Sequence, residues 1–339
     1  MRIGLAGAGR MGAFHGKVLA AMDVVSEVVV TDIDMDRAQQ VAGEIGGSTA
    51  PSVEALLEGG IDALIVASAT PSHAPLIHLG IDAGVPVFCE KPVALDRATT
   101  DAVVERVRET GVLVQIGFNR RFDAGFVAAR DAIDSGTVGD LFVARMGTHD
   151  PAPPPIGYLA ESGGLFRDMH IHDFDAVRFV TGDEVVQVYA EGAVRVDPQI
   201  GELGDVDTTA LILRMRSGAL VVMSGCRQDP RGYDVRVELF GSNDSVTVGI
   251  DHKTPLRSLD ADGVLRGDAG WDFFIDRFDA AYRAQMEDFV ACVAESRTQS
   301  ACSVEDAREA LLLAIAAEQS VRDGAPVLID AVRADVARA

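Results

Sequence analysis

Lysine is nearly absent from this chain: Lys17, Lys91 and Lys253 are the whole complement in 339 residues, and arginine supplies the rest of the positive charge. A lysine that falls at a strand end is therefore worth inspecting. Positive charge of any kind is scarce, 30 Lys and Arg against 52 Asp and Glu, for a formal net charge of −22. That balance excludes nucleic acid and anionic membrane surfaces as partners, because a phosphate backbone needs a basic surface to meet it. An anion bound by this protein must be held by local groups. The four cysteines, Cys89, Cys226, Cys292 and Cys302, have neither the spacing of a metal site nor that of a disulfide framework. They point to a reducing, cytoplasmic setting and to no bound metal. No apolar run is long enough to span a bilayer, and no secretory segment is expected, since Arg2–Ala6 already reads as a strand. The second half shows no internal repeat or low-complexity tract.

What is present begins with size. At 339 residues the chain exceeds the usual range of one hydrophobic core, so two domains are expected, 1–118 and 119–339. The fold class expected is α/β: an N-terminal Rossmann domain with a doubly wound parallel sheet, then a C-terminal α+β domain with an open, largely antiparallel sheet.

In the first domain the strand Arg2–Ala6 runs into Gly7-Ala8-Gly9-Arg10-Met11-Gly12 and then a helical stretch to Ala21. The pattern G-x-G-x-x-G alone is weak, but between strand and helix it places a pyrophosphate at a helix N-terminus. A second apolar strand, Val28–Thr31, ends at Asp32, 20 residues after Gly12. A carboxylate there accepts from the ribose 2′-hydroxyl and repels a 2′-phosphate, so the cofactor expected is NAD. Asp34 adds to that repulsion, and Arg37 is the one nearby residue that argues the other way. Ile61–Ser68 is an apolar strand ending in Ala69-Thr70-Pro71-Ser72-His73. Val85–Cys89 is another, ending in Glu90-Lys91-Pro92. Both turns fall at the carboxyl edge of the sheet, where ligands bind in such folds. The candidate cofactor-binding residues are thus Gly7, Gly9, Arg10, Met11, Gly12, Asp32, Ser68, Thr70, His73 and Glu90. The ammonium of Lys91 is placed to hold a substrate oxygen as charge develops. Strand Val112–Phe118 closes the domain.

The second domain opens with a helical stretch, Phe122–Ser135, a strand, Leu141–Met146, and a proline-rich loop, Asp150–Pro155, read as a lip over the site. Five strand candidates follow within residues 185–250, separated in part by Gly-containing breaks that suggest antiparallel hairpins. Phe273–Val293 and Val304–Val321 have helical spacing. A sheet with helices on one face leaves the other to be covered, so a homo-oligomer, a tetramer, is expected.

Between loop and strands stands Gly163-Gly164-Leu165-Phe166-Arg167-Asp168-Met169-His170-Ile171-His172-Asp173-Phe174-Asp175. As an α-helix entered through the glycine pair, it puts Asp168 and His172 one turn apart on one face, with His170 pointing away and Asp175 continuing the face. An imidazole beside a carboxylate is a natural general base. The same residue types also suit a helix cap or a solvated charge cluster.

With these residues in hand the chain resembles the Gfo/Idh/MocA oxidoreductases, and within them the inositol dehydrogenase group. The likeness rests on the glycine turn, Glu90-Lys91-Pro92, Gly117-Phe118-Asn119-Arg120-Arg121-Phe122-Asp123, the 150–155 loop and 168–175. It implies a catalytic trio of Lys91, Asp168 and His172, and polyol contacts from Asn119, Arg120, Asp150, Tyr233 and Tyr282. It also implies NAD-dependent oxidation of a ring hydroxyl of a cyclic polyol or sugar, myo-inositol first, to a ketone. Three other readings stay open: a dehydrogenase for another inositol isomer or sugar, an NAD-dependent glycosidase, and a non-catalytic NAD-binding sensor.

Overall fold

The computed structural model describes residues 1–260, 262–263 and 270–334; the end of the expected second domain, 335–339, lies outside them. The described chain forms two compact units. One comprises Met1–Asn119 together with Ala280–Glu309, the other Arg120–Asp279 together with the chain from Ala310.

The first unit is built on six strands: β1 (Arg2–Ala6), β2 (Glu27–Thr31), β3 (Ser48–Thr49), β4 (Ala63–Val66), β5 (Val87–Cys89) and β6 (Val114–Ile116). All pair in parallel in the order β3-β2-β1-β4-β5-β6. That order reverses direction between β1 and β4, and in open sheets of this kind the crevice at the reversal takes the ligand. The central strands are apolar on both faces because both are covered: every residue of β4 is fully buried. Helices start and stop on local signals. Asp96 accepts from the Thr99 N–H to cap the helix Arg97–Thr110, and Gly111, at φ 68°, ends it.

Ala280–Glu309 enters this unit through its core, where Met286, Phe289, Val290 and Cys292 join Ile3, Leu5, Ile65 and Phe88. The rings of Phe88 and Phe289 lie 5.8 Å apart. The helix Phe274–Ala294 that carries Phe289 is kinked at Phe278.

The second unit holds seven strands: β7 (Leu141–His149), β8 (Val185–Ala193), β9 (Thr208–Met215), β10 (Leu220–Cys226), β11 (Asp234–Gly241), β12 (Ser245–Val248) and β13 (Val327–Leu328). Their order is β12-β11-β7-β10-β9-β8-β13. The consecutive strands β8, β9 and β10 pair antiparallel, as hairpin-type breaks require. The Gly-containing breaks at 217–218 and 241–243 both join antiparallel neighbours, β9 with β10 and β11 with β12, while the step from β10 to β11 is different. β11 does not pair with β10, because β7 lies between them, antiparallel to β11 and parallel to β10. A parallel pair needs a crossover rather than a tight turn. The chain after β7 supplies one, carrying the helix Ile171–Thr181 before it re-enters the sheet at β8.

Side chains alternate across this sheet. In β9, Thr209, Leu211, Leu213 and Met215 are buried while Ala210, Ile212 and Arg214 point out. Ile212 lies opposite Val222 on β10, and both are about half exposed. No helix of the described residues is long and apolar enough to cross a membrane.

Phe289 is fully buried in the core of the first unit although it comes from the far end of the sequence. Phe289→Ala is expected to cost that unit about 3–5 kcal/mol, read by chemical denaturation. A change under 1 kcal/mol would show that the segment is not part of the core.

Candidate active site

Each unit contributes its own set of candidate residues. In the first, the glycine turn is dictated by space. Gly7 has φ +104°, and a Cβ there would stand 2.5 Å from the Ala67 carbonyl oxygen; at Gly12 a Cβ would stand 1.9 Å from the carbonyl oxygen of Gly7. Only glycine fits either position. At Gly9 nothing lies within 4 Å of such an atom, and the helix Arg10–Ala20 that starts there has no side-chain cap. Uncapped N–H groups on an open backbone are what a pyrophosphate requires. Arg10 is exposed and Met11 half-buried on the first helical turn.

The Asp32 carboxylate is fixed at the end of β2. Oδ2 accepts from the Ala8 N–H at 2.6 Å and Oδ1 from the Asp34 N–H at 2.9 Å. Each oxygen keeps lone-pair capacity for a ribose hydroxyl. Arg37, the residue that argued for a 2′-phosphate, lies 3.4 Å from Asp32 and 3.5 Å from Asp34, so two carboxylates already share its charge. These residues fit NAD.

At the carboxyl edge Ser68 Oγ meets Ser72 Oγ at 2.6 Å, and Thr70 begins the short turn between them. His73 is buried, with Nδ1 2.7 Å from the Pro92 carbonyl oxygen and Nε2 3.0 Å from that of Ser68. Burial holds its pKa below the usual histidine value. The ring lies between these two carbonyl oxygens and, when neutral, donates to one of them, bridging the turn after β4 and the loop after β5. Glu90 is buried beside His15, which has no exposed surface, at 2.6 Å from Nε2. Lys91 follows, half-exposed, joined to Pro92 by a cis peptide bond. Asn119 is buried, and its Nδ2 has no hydrogen-bond partner among the described residues. Tyr282 is buried with its ring edge-on to Phe14 and His15.

In the second unit the segment 163–175 departs from the expected α-helix. Gly163 and Gly164 both have positive φ, and Phe166–His170 forms a π-helical turn before the α-helix Ile171–Thr181 begins. Its start is fixed by Asp205, whose Oδ1 accepts from the Leu165 N–H at 3.1 Å. A π turn closes i→i+5, so the Asp168–His172 spacing straddles two helix types rather than spanning one regular turn. Single π turns of this sort recur at functional sites.

Three aspartates of the segment each meet an arginine from elsewhere in the unit. Asp168 Oδ1 accepts from the Tyr158 hydroxyl at 2.7 Å, and its Oδ2 stands 2.9 Å from Arg227 Nη2. Asp173 is bound by Arg120 Nη1, by the Thr148 hydroxyl at 2.7 Å and by His170 Nδ1 at 2.8 Å. Asp175 takes the Arg121 guanidinium with both carboxylate oxygens. Asp175 therefore does not extend the face of Asp168; it is buried in an ion pair of its own. His170 is fully buried, with Nε2 2.7 Å from the Thr209 hydroxyl. His172 remains half-exposed on the first turn of the α-helix.

Arg120 and Tyr233, for which the resemblance implied polyol contacts, are both buried and hydrogen-bonded to each other. Arg120 also bonds Asp173 and Thr148, so its guanidinium is turned to protein groups. Although burial works in the opposite direction, the Arg120 charge and the bonds from His170 and Thr148 hold the Asp173 carboxyl well below the usual carboxylate range. Burial pushes the Tyr233 hydroxyl well above the usual tyrosine value. Asp150 stands at the end of β7, where Arg227 Nη1 reaches it at 3.3 Å. Arg227 and Tyr158 had no motif to announce them. One further group, His149, Asp229 and Asp234, has the spacing to hold a metal ion, but the Asp234 carboxylate is already bound by Arg236.

A parallel sheet of this order with a glycine turn at its reversal and an acid at the end of the second strand defines a nicotinamide dinucleotide-dependent oxidoreductase. The first 118 residues match the model of the oxidoreductase family with an NAD-binding Rossmann fold, and residues 126–247 match the GFO/IDH/MocA C-terminal domain. The chain belongs to the Gfo/Idh/MocA family, and its cofactor is NAD. It is 38% identical to the myo-inositol 2-dehydrogenase of Thermotoga maritima over 98% of this chain and 99% of that protein. A crystal structure of a probable dehydrogenase from the same organism is 37% identical and superposes with a TM-score of 0.91, over 98% of this chain and all of the other. The scyllo-inositol dehydrogenase of Lactobacillus casei, solved with NAD(H) and scyllo-inositol bound, is 25% identical with a TM-score of 0.87, covering 97% of this chain and 99% of that one.

The Arg120–Asp173 pair yields a prediction with a defined sign. A carboxyl whose pKa is depressed by folding adds stability at every pH above its unfolded value of about 3.9, and that stability is lost as pH falls below it. Asp173→Asn leaves Arg120 buried without its counter-charge, at a cost of about 3–5 kcal/mol at neutral pH. Thermal melts from pH 7 to pH 3 should show the variant's deficit shrinking with acid; a constant deficit would contradict the assignment.

Proposed function

We propose that this protein is an NAD-dependent dehydrogenase that oxidises one ring hydroxyl of a cyclic polyol, myo-inositol first among the candidates, to the ketone. The observation that carries the reading is the segment 168–172, where a carboxylate held by Tyr158 and Arg227 stands four positions before a half-exposed imidazole. Full-length similarity to inositol dehydrogenases supports the choice of substrate class.

In this reading His172 takes the hydroxyl proton as general base, and Asp168 orients the ring and stabilises the imidazolium that forms. Lys91 donates to the substrate oxygen and steadies it as charge develops. Gly7, Gly9, Arg10, Met11, Gly12 and Asp32 hold the dinucleotide, with Ser68, Thr70, His73 and Glu90 shaping the edge around it. When bound, NAD supplies the hydride acceptor. Asn119 and Asp150 offer a donor and an acceptor to a neutral polyol; the resemblance adds Tyr282, Tyr233 and Arg120 as contacts, of which Arg120 already gives its guanidinium to Asp173 and Thr148. Discrimination between epimers rests on such fixed hydrogen bonds, because a mismatched hydroxyl leaves a buried partner unpaired.

We assign the nicotinamide-binding role to 1–118 and the substrate and assembly roles to 119–339. The exposed apolar side chains Ile212, Leu220 and Val222 on the open sheet face favour a second copy as cover, and we take the assembly to be a cytoplasmic homotetramer.

A panel of inositol isomers and sugars, run with NAD and NADP in parallel, tests the reading through NADH absorbance. Turnover is expected with myo-inositol and NAD. Replacement of His172 by alanine should lower kcat by roughly 10²-fold or more while leaving NAD affinity nearly intact. Release from an aryl glycoside without absorbance gain would favour glycosidase chemistry instead, and NAD binding without turnover on any polyol would favour a sensor.

A further inference from the structure

Asp150 and Asp168 lie at positions that share a single buried cation. β7 and β10 run parallel with His149 opposite Cys226, so the residues that follow, Asp150 and Arg227, leave the sheet side by side. The Asp150 N–H donates to the Cys226 carbonyl at 2.9 Å, and the Asp229 N–H donates back to the Asp150 carbonyl at 2.6 Å. The Arg227 N–H is tied in turn to the Asp207 carbonyl at 2.9 Å. Neither backbone has freedom to separate the two side chains.

The Arg227 side chain is 3% exposed, and its two terminal nitrogens are divided: Nη1 toward Asp150 at 3.3 Å, Nη2 toward Asp168 at 2.9 Å. Asp205 is a third carboxylate close enough to act on it. On its other oxygen Asp168 accepts from the Tyr158 hydroxyl, so both of its oxygens are held from outside its own helix. The forked, always charged guanidinium can address two carboxylates at once; an ammonium on a flexible stem cannot hold the same geometry.

We propose that Arg227, assisted by Tyr158, is the positioning residue for the acid of the reaction: it fixes the rotamer of Asp168 and keeps Asp168 and Asp150 charged next to each other. The idea rests on the assignment of Asp168 above and extends it to a residue outside the trio. Remove the guanidinium and the two carboxylates lose the charge they share, with Asp205 also near that position. One must then take up a proton at higher pH than before. A protonated or misaligned Asp168 orients the imidazole poorly, and a misplacement of about 1 Å in a catalytic group can reduce turnover by about 10²-fold.

The test compares Arg227→Gln, Arg227→Lys and Tyr158→Phe with the wild-type full-length enzyme in two independent measurements. The first is the pH profile of kcat/KM for inositol oxidation. Arg227→Gln is expected to lower kcat about 10- to 100-fold and move the acid limb upward, Arg227→Lys to restore the limb but only part of kcat, and Tyr158→Phe to lower kcat by a smaller factor. The second needs no turnover: titration of the Asp168 carboxyl carbon by 13C NMR, assigned with Asp168→Asn, should show its midpoint rising by about one unit or more in Arg227→Gln. An unchanged midpoint and an unchanged acid limb overturn the proposal. A raised midpoint in a protein that oxidises no polyol supports the clamp and overturns the dehydrogenase reading instead. Where Arg227→Gln does not fold, Arg227→Lys and Tyr158→Phe decide: both indistinguishable from wild type in kcat and midpoint would overturn the proposal.

Discussion

The structure of the second unit depends on a set of ion pairs: Asp173 with Arg120 and Asp175 with Arg121, both buried, and Asp168 with the buried Arg227. A carboxylate taken out of water without a counter-charge would cost several kcal/mol, and three on one short segment would not fold. Each pair is therefore a constraint on where the segment can lie. The arginines come from β10's end and from the turn before the helix Ala124–Asp134, so the helix is pinned at three points to elements distant in sequence. The scarcity of lysine takes on meaning here. A planar fork that never loses its proton is better suited to such buried contacts than a strongly hydrated ammonium.

The same pairs sort the residues of the segment by role. Asp173 and Asp175 are buried and saturated, with His170 closing the network against Thr209. Their work is to hold the helix. Asp168 and His172 are left with partial exposure, which a group that meets a small molecule needs. The π turn sits at the boundary between the two sets, and Asp205 secures its first N–H.

In the first unit the limiting factor is space rather than charge. Gly7 and Gly12 leave no room for a Cβ, Gly9 has open space in front of it, and Asp32 is locked by two backbone N–H groups. Carbonyl contacts through His73 and the Glu90–His15 pair then brace the two loops that follow β4 and β5. The loop bearing Lys91 is held by residues that do no chemistry themselves.

The amino-acid sequence by itself determined the first unit closely, down to the glycine turn, the acid after the second strand and the lysine after the fifth. Its signals are local: turn residues at fixed offsets and uninterrupted apolar strands. It also marked 168–175 as the segment of interest and named Arg120 among the residues that meet it. Only tertiary structure decided that β7 pairs in parallel with β10, because strand register depends on contacts between residues far apart in the chain and not on any local pattern. That pairing brings Asp150 beside Arg227, 77 positions away, and from there Arg227 to Asp168. It likewise decided that Arg120 and Tyr233 face one another and Asp173, and that Ala280–Glu309 belongs with the first core. An arginine has no signature that says which of many aspartates it will meet; the meeting is set by burial, where an unpaired charge is not tolerated.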